Sequence, residues 1–454
     1  MAAPFSSVLI ANRGEIALRI VRACRSLGLR AIVVYSEADR DAGYVRLADQ
    51  AICIGPAAAS RSYLDQAAIL FAAEVTGAQA IHPGYGFLAE NAAFAARVEE
   101  AGLIFIGPSS QCIRTMGDKV EAKHAMRLAG VPCVPGPDTA MSADPEVALK
   151  IAAEIGYPVI IKAAGGGGGR GMRMIANAAD LPDALALTRE EARRAFGNDE
   201  IYIEKFLQHP RHVEIQILAD SHGNGIWLGS RDCSLQRRHQ KLLEEAPAPG
   251  LDEAQVATVG ERCVEACRQI GYCGAGTFEF LVEDGEFYFI EMNTRLQVEH
   301  TVTEATTGID IVQAQIRVAR GEKLGIVQSE ITCRGHAFEC RINAENPASF
   351  AASPGMIRVW EMPGGNGVRI DSHAQAGYRV SPYYDSMIGK LIVHGATRGD
   401  ALARLRGALD EARIEGIDTN LSLHRALAAD AGFNAGGVDI HYFTRWLSER
   451  MPHD

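Results

Sequence analysis

Long apolar runs are missing from this chain of 454 residues: nowhere do about 18 apolar residues follow one another, as a membrane-spanning helix requires. The first residues also lack the basic stretch and apolar core of a secretory signal. These absences predict a cytoplasmic protein without a membrane segment.

Basic residues are in deficit, with 45 Lys and Arg against 56 Asp and Glu, a net charge of -11 and a pI of about 5.7. Such a balance provides no overall attraction for nucleic acid or an anionic membrane, and we expect neither partner. Any site for an anion must therefore be built locally.

The ten cysteines include no C-x-x-C pair, a pattern typical of reduced thiols in a cytosolic protein. Cys263 and Cys267 are the closest grouping, but no second pair or histidine lies near them. A zinc site is therefore disfavoured.

Two common nucleotide fingerprints are also missing. The turn after the first predicted strand reads Asn12-Arg13-Gly14-Glu15 instead of G-x-G-x-x-G, so we do not predict NAD. No glycine run is followed by Lys and then Ser or Thr, so a P-loop is not predicted either.

Hydrophobic residues make up 47% of the chain, enough for two or three domains. Strands at 7–12 and 31–35 flank a helix at 15–27, and this alternation continues to about residue 106. It predicts a doubly wound parallel sheet. The predicted division is an N-terminal domain at 1–106, a linker with helix 113–129 at 107–133, a lid at 134–206 and a catalytic and C-terminal part at 207–454.

A predicted strand ends at Lys162 and is followed by a glycine run and Arg170. Glycine lets backbone N–H groups approach an anion closely. Strand-like segments lie on both sides, which favours a lid over phosphates above the alternative of a flexible linker. The strand at 202–207 could read an adenine edge or be a plain hinge.

Strands at 276–282 and 287–293 form a predicted hairpin that carries Glu279, Glu291 and Asn293. A two-residue turn would put the two glutamates on opposite faces, whereas a three-residue loop at 284–286 pairs them. We predict the loop. Carboxylates among apolar residues need a cation, and Mg²⁺ beside nucleotide phosphates meets that need. Half-exposed, solvated glutamates are the alternative.

Arg295, Gln297 and Glu299 alternate directly after this hairpin, so an extended chain would point all three in one direction. A cation, an amide and a carboxylate can together hold a small oxyanion and deprotonate it. The basic segment 231–241 fits a phosphate site and lacks the aromatics of a nucleic-acid groove. For Arg341 the pattern fixes no role.

Together these segments resemble the biotin carboxylases of the ATP-grasp superfamily, from about residue 6 to the C-terminal end. The matching strings are IANRGEIA (10–17), HPGYGFLAEN (82–91), MGDK (116–119), IKAAGGGGGRGM (161–172), EKFLQHPRHVEIQ (204–216), RDCSLQRRHQKLLEEAPAP (231–249), EMNTRLQVEH (291–300), ECRINAEN (339–346) and PYYDSMIGKL (382–391).

The resemblance implies an α/β fold with a three-part ATP-grasp architecture: an N-terminal doubly wound parallel-sheet domain, a mobile α+β lid, and a C-terminal α+β domain with an antiparallel sheet. It implies ATP, Mg²⁺ or Mn²⁺, and biotin on a partner carrier protein. Bicarbonate would attack the γ-phosphate to give carboxyphosphate, which yields CO₂ for biotin. The partners would be a second copy of the chain and a carboxyltransferase subunit, as in acetyl-CoA carboxylase or another acyl-CoA carboxylase.

The resemblance also implies residue roles. The ATP and phosphate ligands would be Lys119, Lys162, Gly166, Gly167, Gly168, Gly169, Glu204, Lys205, Leu207, His212, Gln236 and His239. Glu279, Glu291 and Asn293 would bind the metal. Bicarbonate would contact Arg295, Gln297 and the Val298 backbone, with Glu299 as the base, Lys241 beside the transferred phosphate, Arg341 on the biotin enolate, and Tyr85 and Asp385 at the biotin end.

Some positions depart from the family: Thr301 replaces a common proline, Ala164 a small polar residue, and Gly229-Ser230 a longer side chain. None removes a catalytic group. No Met-Lys-Met tripeptide occurs, so biotin is expected on another protein unless this chain is part of a longer one. A different ATP-grasp ligase and a catalytically silent nucleotide-binding scaffold are the competing functions. The strip of Arg295, Gln297 and Glu299 together with Arg341 disfavours the first, and the intact metal ligands and Glu299 disfavour the second.

Overall fold

A computed structural model describes residues 5–137, 139–141, 144–163 and 171–450, except the side chains of Lys119, Val120 and Phe196. Its N-terminal part alternates strands and helices. These are β1 (Ser7–Ile10), α1 (Gly14–Ser26), β2 (Arg30–Tyr35), α2 (Gly43–Leu47), β3 (Gln50–Cys53), α3 (Gln66–Thr76), β4 (Ala80–His82), α4 (Ala92–Glu100) and β5 (Ile104–Phe105).

The strands of this part form a parallel sheet in the order β3-β2-β1-β4-β5, which confirms the predicted doubly wound topology. Val8, Leu9 and Ile10 of the central strand β1 are fully buried because helices cover both faces of the sheet. Helix α4 begins only at Ala92, because Phe87 adopts a positive φ of 42° and Asn91 caps the helix.

The predicted helix at 113–129 is two helices, α5 (Ser110–Gly117) and α6 (Lys119–Leu128), separated at Asp118. Met116 and Met126 pack beneath the large sheet described below.

The segment that follows has its own small core. Its elements are α7 (Pro145–Ile155), β6 (Val159–Ala163), β7 (Met172–Ile175), α8 (Leu181–Phe196) and β8 (Ile201–Lys205). The strands form an antiparallel sheet in the order β7-β6-β8. The sequence pattern missed α7, which Asp144 caps ahead of Pro145. The glycine run lies in 164–170, outside the described residues.

The remainder of the chain surrounds a large antiparallel sheet. Its first elements are β9 (Arg211–Ala219), β10 (Gly225–Arg237), β11 (Gln240–Ala246), α9 (Glu253–Gln269), β12 (Gly274–Glu283), β13 (Glu286–Asn293), α10 (His300–Thr307), α11 (Ile311–Ala319) and β14 (His336–Asn343). Then come β15 (Gly355–Met356), β16 (Val359–Glu361), β17 (Val368–Ser372), β18 (Arg379–Val380), β19 (Met387–Gly395), α12 (Arg398–Glu411), β20 (Arg413–Glu415), α13 (Leu421–Ala429), α14 (Ala431–Ala435) and α15 (Tyr442–Arg450).

This sheet has the strand order β13-β12-β9-β10-β11-β14-β19-β17. The main hydrophobic core lies between it, the N-terminal helix α1 and the late helices α12 and α13. The predicted architecture is therefore confirmed: a parallel N-terminal sheet, a small α+β unit, and a C-terminal part with an antiparallel sheet. The domain boundaries stay a prediction. Among the described residues, no helix is both long and apolar enough to cross a membrane.

The β12–β13 hairpin corrects one prediction and confirms another. Glu283 pairs with Glu286, so the turn is the two-residue Asp284-Gly285, with φ angles of 52° and 84°, and not the predicted three-residue loop. A bulge at Ile290 then shifts the register, and Glu279 pairs with Glu291 as predicted.

Helix α9 offers a test of how tightly the large sheet is covered. A Cβ at Gly260 would lie 2.5 Å from the Trp227 ring, whereas a Cβ at Gly407 in α12 would meet nothing within 4 Å. Alanine in a helix interior is worth up to about 1 kcal/mol over glycine. Overpacking costs about 1–3 kcal/mol. We therefore expect Gly260→Ala to lower the melting temperature and the control Gly407→Ala to raise it. Equal shifts would show that the α9 contact is loose.

Candidate active site

A cleft of about 1500 Å³ opens where the N-terminal part, the small α+β unit and the large sheet meet. Most predicted site residues line it. They are Tyr85, Lys162, Glu204, Lys205, Leu207, His212, Gln236, His239, Lys241, Glu279, Glu291, Asn293, Arg295, Gln297, Val298, Glu299, Arg341 and Asp385. The side chain of Lys119 and the residues Gly166, Gly167, Gly168 and Gly169 lie outside the described residues.

A row of charged residues crosses the large sheet beneath the cleft. Arg231 on β10 faces Glu214 on β9, Glu214 faces Glu279 on β12, and Glu279 faces Glu291 on β13. Directly opposed residues share a face of the sheet, so the register brings these side chains together.

Glu214, which is fully buried, was not among the predicted site residues. His212, Glu214 and Gln216 occupy alternate positions of a strand otherwise filled by Val213, Ile215 and Ile217. That alternation is the signal that could have found it.

Lys241, near the start of β11, is the centre of the charge cluster. Its Nζ donates to Glu214, to Glu279 Oε1 at 2.9 Å and to Glu299 Oε1 at 2.8 Å. Burial alone would lower the pKa of Lys241, but these three carboxylates outweigh it and hold that pKa well above its ordinary value. The ammonium thus stays charged where it faces the cleft.

Glu299 lies between Lys241 and Arg341, whose Nη2 donates to Glu299 Oε2 at 3.0 Å. Burial raises the pKa of Glu299, yet Lys241, Arg341 and Arg231 outweigh it and hold that pKa well below the ordinary value. The side chain is therefore a carboxylate that carries no proton. Arg341 is kept in place by a second bond, from Nε to Glu244 Oε1 at 2.6 Å.

The strip that carries Arg295, Gln297 and Glu299 is not extended as predicted. Residues 294–299 form a loop and a turn that lead into α10, with Glu299 at its N-cap. All three side chains still line the cleft, because the turn directs Glu299 inward where an extended strand was expected to do so.

The interactions of the first two residues of the strip fix their side chains. Arg295 donates to Glu90 at 2.8 Å and to Asn293 Oδ1 at 2.6 Å. Gln297 Nε2 donates to Glu279 Oε1 at 2.6 Å.

The predicted metal ligands offer only oxygen donors, which suits Mg²⁺. Glu279 and Glu291 project from paired positions of β12 and β13, and Asn293 faces Thr277 on the same pair of strands. The donor set therefore fits a divalent cation. Such an ion would compete for Glu279 with Lys241 and with His212 Nε2, which lies 3.1 Å from Glu279 Oε2.

His212 belongs to a grouping that the sequence did not predict. Among the described residues, the possible ligand atoms of His212, Glu214 and Glu279 lie close together. Burial lowers the pKa of His212, but the Glu279 carboxylate outweighs it and raises that pKa above its ordinary value. This favours a charged imidazole that holds Glu279.

At the lid end of the cleft, buried Glu204 on β8 binds two lysines. It accepts from Lys162 at 2.5 Å and from Lys123 of α6. The Lys162 ammonium is thus held near the end of strand β6, just before the glycine run. Lys205 is committed elsewhere, because its Nζ donates to the Gly156 carbonyl at 2.9 Å.

At the opposite end, the Tyr85 hydroxyl donates to the buried carboxylate of Glu15. Lys390, also buried, lies 3.6 Å from Glu15 and donates to the Val298 carbonyl at 2.6 Å. Burial raises the pKa of Glu15 from 4.5 to about 7, with Lys390 opposing that rise. Tyr85 and the Val298 turn therefore share one ionisable cluster.

The departures at Thr301 and Ser230 have structural partners. Thr301 donates to Glu339, a carboxylate 3.7 Å from Lys390 Nζ. Ser230 Oγ accepts from the Ala248 backbone. Ala164 lies outside the described residues.

Comparison with known proteins places these observations in a family. Residues 4–113 match the model described as biotin carboxylase, N-terminal domain; residues 118–327 match carbamoyl-phosphate synthase L chain, ATP binding domain; and residues 339–449 match biotin carboxylase C-terminal domain.

One curated relative and two solved structures cover nearly the whole chain. Biotin carboxylase of Pseudomonas aeruginosa is 61% identical over 97% of this chain and 98% of the relative. A solved biotin carboxylase component of pyruvate carboxylase is 46% identical, with a TM-score of 0.88, and covers 99% of this chain and 100% of its own. The biotin carboxylase domain dimer of Hydrogenobacter thermophilus 2-oxoglutarate carboxylase, solved with its ADP magnesium salt, ADP and bicarbonate, is 46% identical. It superposes with a TM-score of 0.90 and covers 99% of this chain and 100% of its own.

The raised pKa of Glu15 predicts a pH-dependent stability. Between pH 4.5 and about 7 the folded chain binds a proton that the unfolded chain has lost, so stability falls as pH rises through this window. The loss is at most about 3 kcal/mol. Glu15→Gln keeps a neutral acceptor for Tyr85, so its melting temperature relative to the natural chain should rise from pH 5 to pH 7.

Thermal melts of both proteins at intervals across that range measure the difference. Glu74→Gln, a change at an exposed position of α3, is the control. Its melting temperature should equal that of the natural chain at every pH. A Glu15→Gln difference that stays constant with pH would contradict the prediction.

Proposed function

This chain belongs to the biotin carboxylase family of ATP-grasp enzymes, and we propose that the cleft described above is where it acts. It is an ATP-dependent ligase that uses bicarbonate to carboxylate biotin. The observation that carries the placement is the buried Glu299 carboxylate held between Lys241 and Arg341, beside the row of Glu214, Glu279 and Glu291.

ATP would lie between the lid and the large sheet. Lys162, whose ammonium Glu204 fixes, would bind phosphate together with Lys119 and the lid glycines. His212, Gln236 and His239 line the same region, with Glu204, Lys205 and Leu207 toward the adenine. Glu279, Glu291 and Asn293 would hold Mg²⁺ or Mn²⁺, which supplies neutralisation of phosphate charge.

Bicarbonate would bind beside Glu299, held by Arg295, the Gln297 amide and the Val298 backbone. Since the pKa of Glu299 is depressed, its carboxylate is free of a proton before bicarbonate arrives. Glu299 accepts the bicarbonate proton as the bicarbonate oxygen attacks the γ-phosphorus, and ADP leaves. Lys241 would lie beside the transferred phosphoryl group, with its ammonium kept charged by Glu214, Glu279 and Glu299.

Carboxyphosphate then breaks down to CO₂ and phosphate inside the cleft. The phosphate takes the proton from the ureido nitrogen of biotin, and that nitrogen attacks CO₂. Arg341 is fixed by Glu244 and would stabilise the negative charge on the ureido oxygen, where it develops. Tyr85 and Asp385 line the cleft at the side where biotin would enter.

The finer assignments are also proposals. We propose that biotin arrives on a carrier protein, and that a carboxyltransferase subunit passes the carboxyl group to acetyl-CoA or another acyl-CoA, as in fatty acid biosynthesis. The named relatives include components of pyruvate and 2-oxoglutarate carboxylases, so the acceptor would be selected outside this cleft. The dimer of the solved relative supports a homodimer. The ten free thiols support a cytoplasmic location.

The contact between Glu299 and Arg341 distinguishes the proposed function from the two competing functions. Another ATP-grasp ligase would share Lys162 and the Glu279–Glu291 pair, but it would not need Arg341 beside Glu299, where a biotin oxyanion would develop next to bicarbonate. A silent nucleotide-binding scaffold would have no need of that contact.

The decisive assay is bicarbonate-dependent ATP hydrolysis with Mg²⁺, in the presence and absence of free biotin. We expect biotin to stimulate the natural chain. Glu299→Gln removes the base, so the rate should fall by about 10²–10⁴-fold. Arg341→Ala should lose the stimulation by biotin because no cation then meets the ureido oxygen.

Glu265→Gln and Arg268→Ala, which break an exposed ion pair on α9, are the matched controls and should be fully active. Bicarbonate-dependent ATP hydrolysis that biotin does not stimulate would favour another ATP-grasp enzyme. Tight ATP binding without turnover would indicate the silent scaffold.

A further inference from the structure

Arg231 on β10 is a fully buried arginine with no assigned role. Its relative exposure is 0%, and it lies behind the cleft rather than on its surface. Burying a guanidinium is costly unless its charge and its N–H groups are all met. The contacts that satisfy the buried charge of Arg231 therefore indicate what the residue does.

Every N–H donor of this guanidinium meets a side-chain acceptor. The acceptors are Glu214 Oε2 at 2.8 Å from Nε, Gln216 Oε1 at 2.6 Å and Thr303 Oγ1 at 3.0 Å from Nη1, and Thr277 Oγ1 at 3.1 Å and Gln297 Oε1 at 2.6 Å from Nη2. The side chain therefore joins three strands and helix α10 to the turn that carries Gln297.

The contact with Gln297 decides the orientation of an amide. A primary amide has an oxygen that accepts and a nitrogen that donates, and rotation by half a turn exchanges them. A guanidinium has no acceptor, so Arg231 can bind only the oxygen. With the oxygen held at 2.6 Å, the nitrogen is directed to Glu279 Oε1 and the cleft.

An anion in the cleft needs donors. The opposite amide orientation would present the Gln297 oxygen, which repels a bicarbonate oxygen. It would also place that oxygen against the Glu279 carboxylate. Arg231 thus excludes the unproductive orientation, and by the bond to Glu214 it holds a carboxylate that also binds Lys241.

We propose that Arg231 is a positioning residue that sets the affinity for bicarbonate by locking the Gln297 amide with its nitrogen toward the cleft. The inference rests on the proposed function, in which Gln297 binds bicarbonate. It adds a residue that never touches the substrate and acts only through another side chain.

Arg231→Lys keeps the charge but loses the planar fork, so it cannot bind Glu214 and Gln297 with fixed geometry. We expect the KM for bicarbonate to rise by about tenfold or more. The KM for ATP should change less than about twofold, since none of the hydrogen bonds of Arg231 described above goes to a residue of the proposed nucleotide site. Steady-state kinetics with each substrate varied measures both.

Arg398→Lys is the matched control. Arg398 also binds a buried carboxylate of the sheet, Glu245, through Nε and Nη2, but it does not line the cleft. It should leave both KM values unchanged.

A double-mutant cycle separates positioning from general damage to the fold. In a Gln297→Ala background there is no amide to orient, so adding Arg231→Lys should raise the bicarbonate KM by less than about twofold. An effect of Arg231→Lys that is undiminished in that background would overturn the proposal.

Two smaller substitutions test the same proposal if Arg231→Lys does not fold. Thr277→Val removes the second acceptor of Nη2, the nitrogen that binds Gln297, whereas Thr303→Val removes an acceptor of Nη1. Both threonines are buried. We expect Thr277→Val to raise the bicarbonate KM by about three- to tenfold and Thr303→Val to leave it unchanged. Equal values for the two variants would contradict the proposal.

The failure of the inference is distinguishable from that of the function. If the natural chain shows no bicarbonate-dependent ATP hydrolysis, the proposed function is wrong. If the natural chain is active and neither Arg231→Lys nor Thr277→Val changes the KM for bicarbonate, only the role proposed for Arg231 is wrong.

Discussion

The structure of this site depends on the burial of several carboxylates on one face of a sheet. Glu214, Glu279 and Glu299 lie within the reach of a single ammonium, that of Lys241, and all are buried. Isolated carboxylates in such surroundings would take up protons. Here Lys241 helps to hold the pKa values of Glu279 and Glu299 well below their ordinary values, and the three carboxylates in turn keep Lys241 charged.

This mutual dependence gives the cleft its charge state. Glu299 is deprotonated and Lys241 protonated through their own contacts, so neither group needs to change its ionisation before the substrates bind. Electrostatic groups that are already oriented and charged cost little reorganisation during reaction. A cation bound by Glu279, as proposed, would have to displace Lys241 and His212 from its carboxylate oxygens.

Around this cluster, two buried cationic side chains hold the strip from Arg295 to Glu299 in place. Arg231 fixes Gln297, and Lys390 fixes the Val298 carbonyl one residue later. The strip from Arg295 to Glu299 has no strand partner of its own among the described residues, so these side chains replace the ladder that would have ordered it. At the lid end, Glu204 orders Lys162 by the same principle with the charges reversed.

The sequence alone determined the N-terminal doubly wound sheet and the residue types that line the cleft, because hydrophobic spacing and local motifs are properties of short segments. The three-part architecture followed from the resemblance of those motifs to the biotin carboxylases. Tertiary structure decided what lies far apart in the chain. The bulge at Ile290, and not a three-residue loop, pairs Glu279 with Glu291, and no spacing rule reveals a bulge. Glu214, Arg231 and Lys390 look like ordinary strand residues until the sheet register places them beside Glu279, Gln297 and Val298. Their contacts are then set by neighbours that only the folded chain supplies.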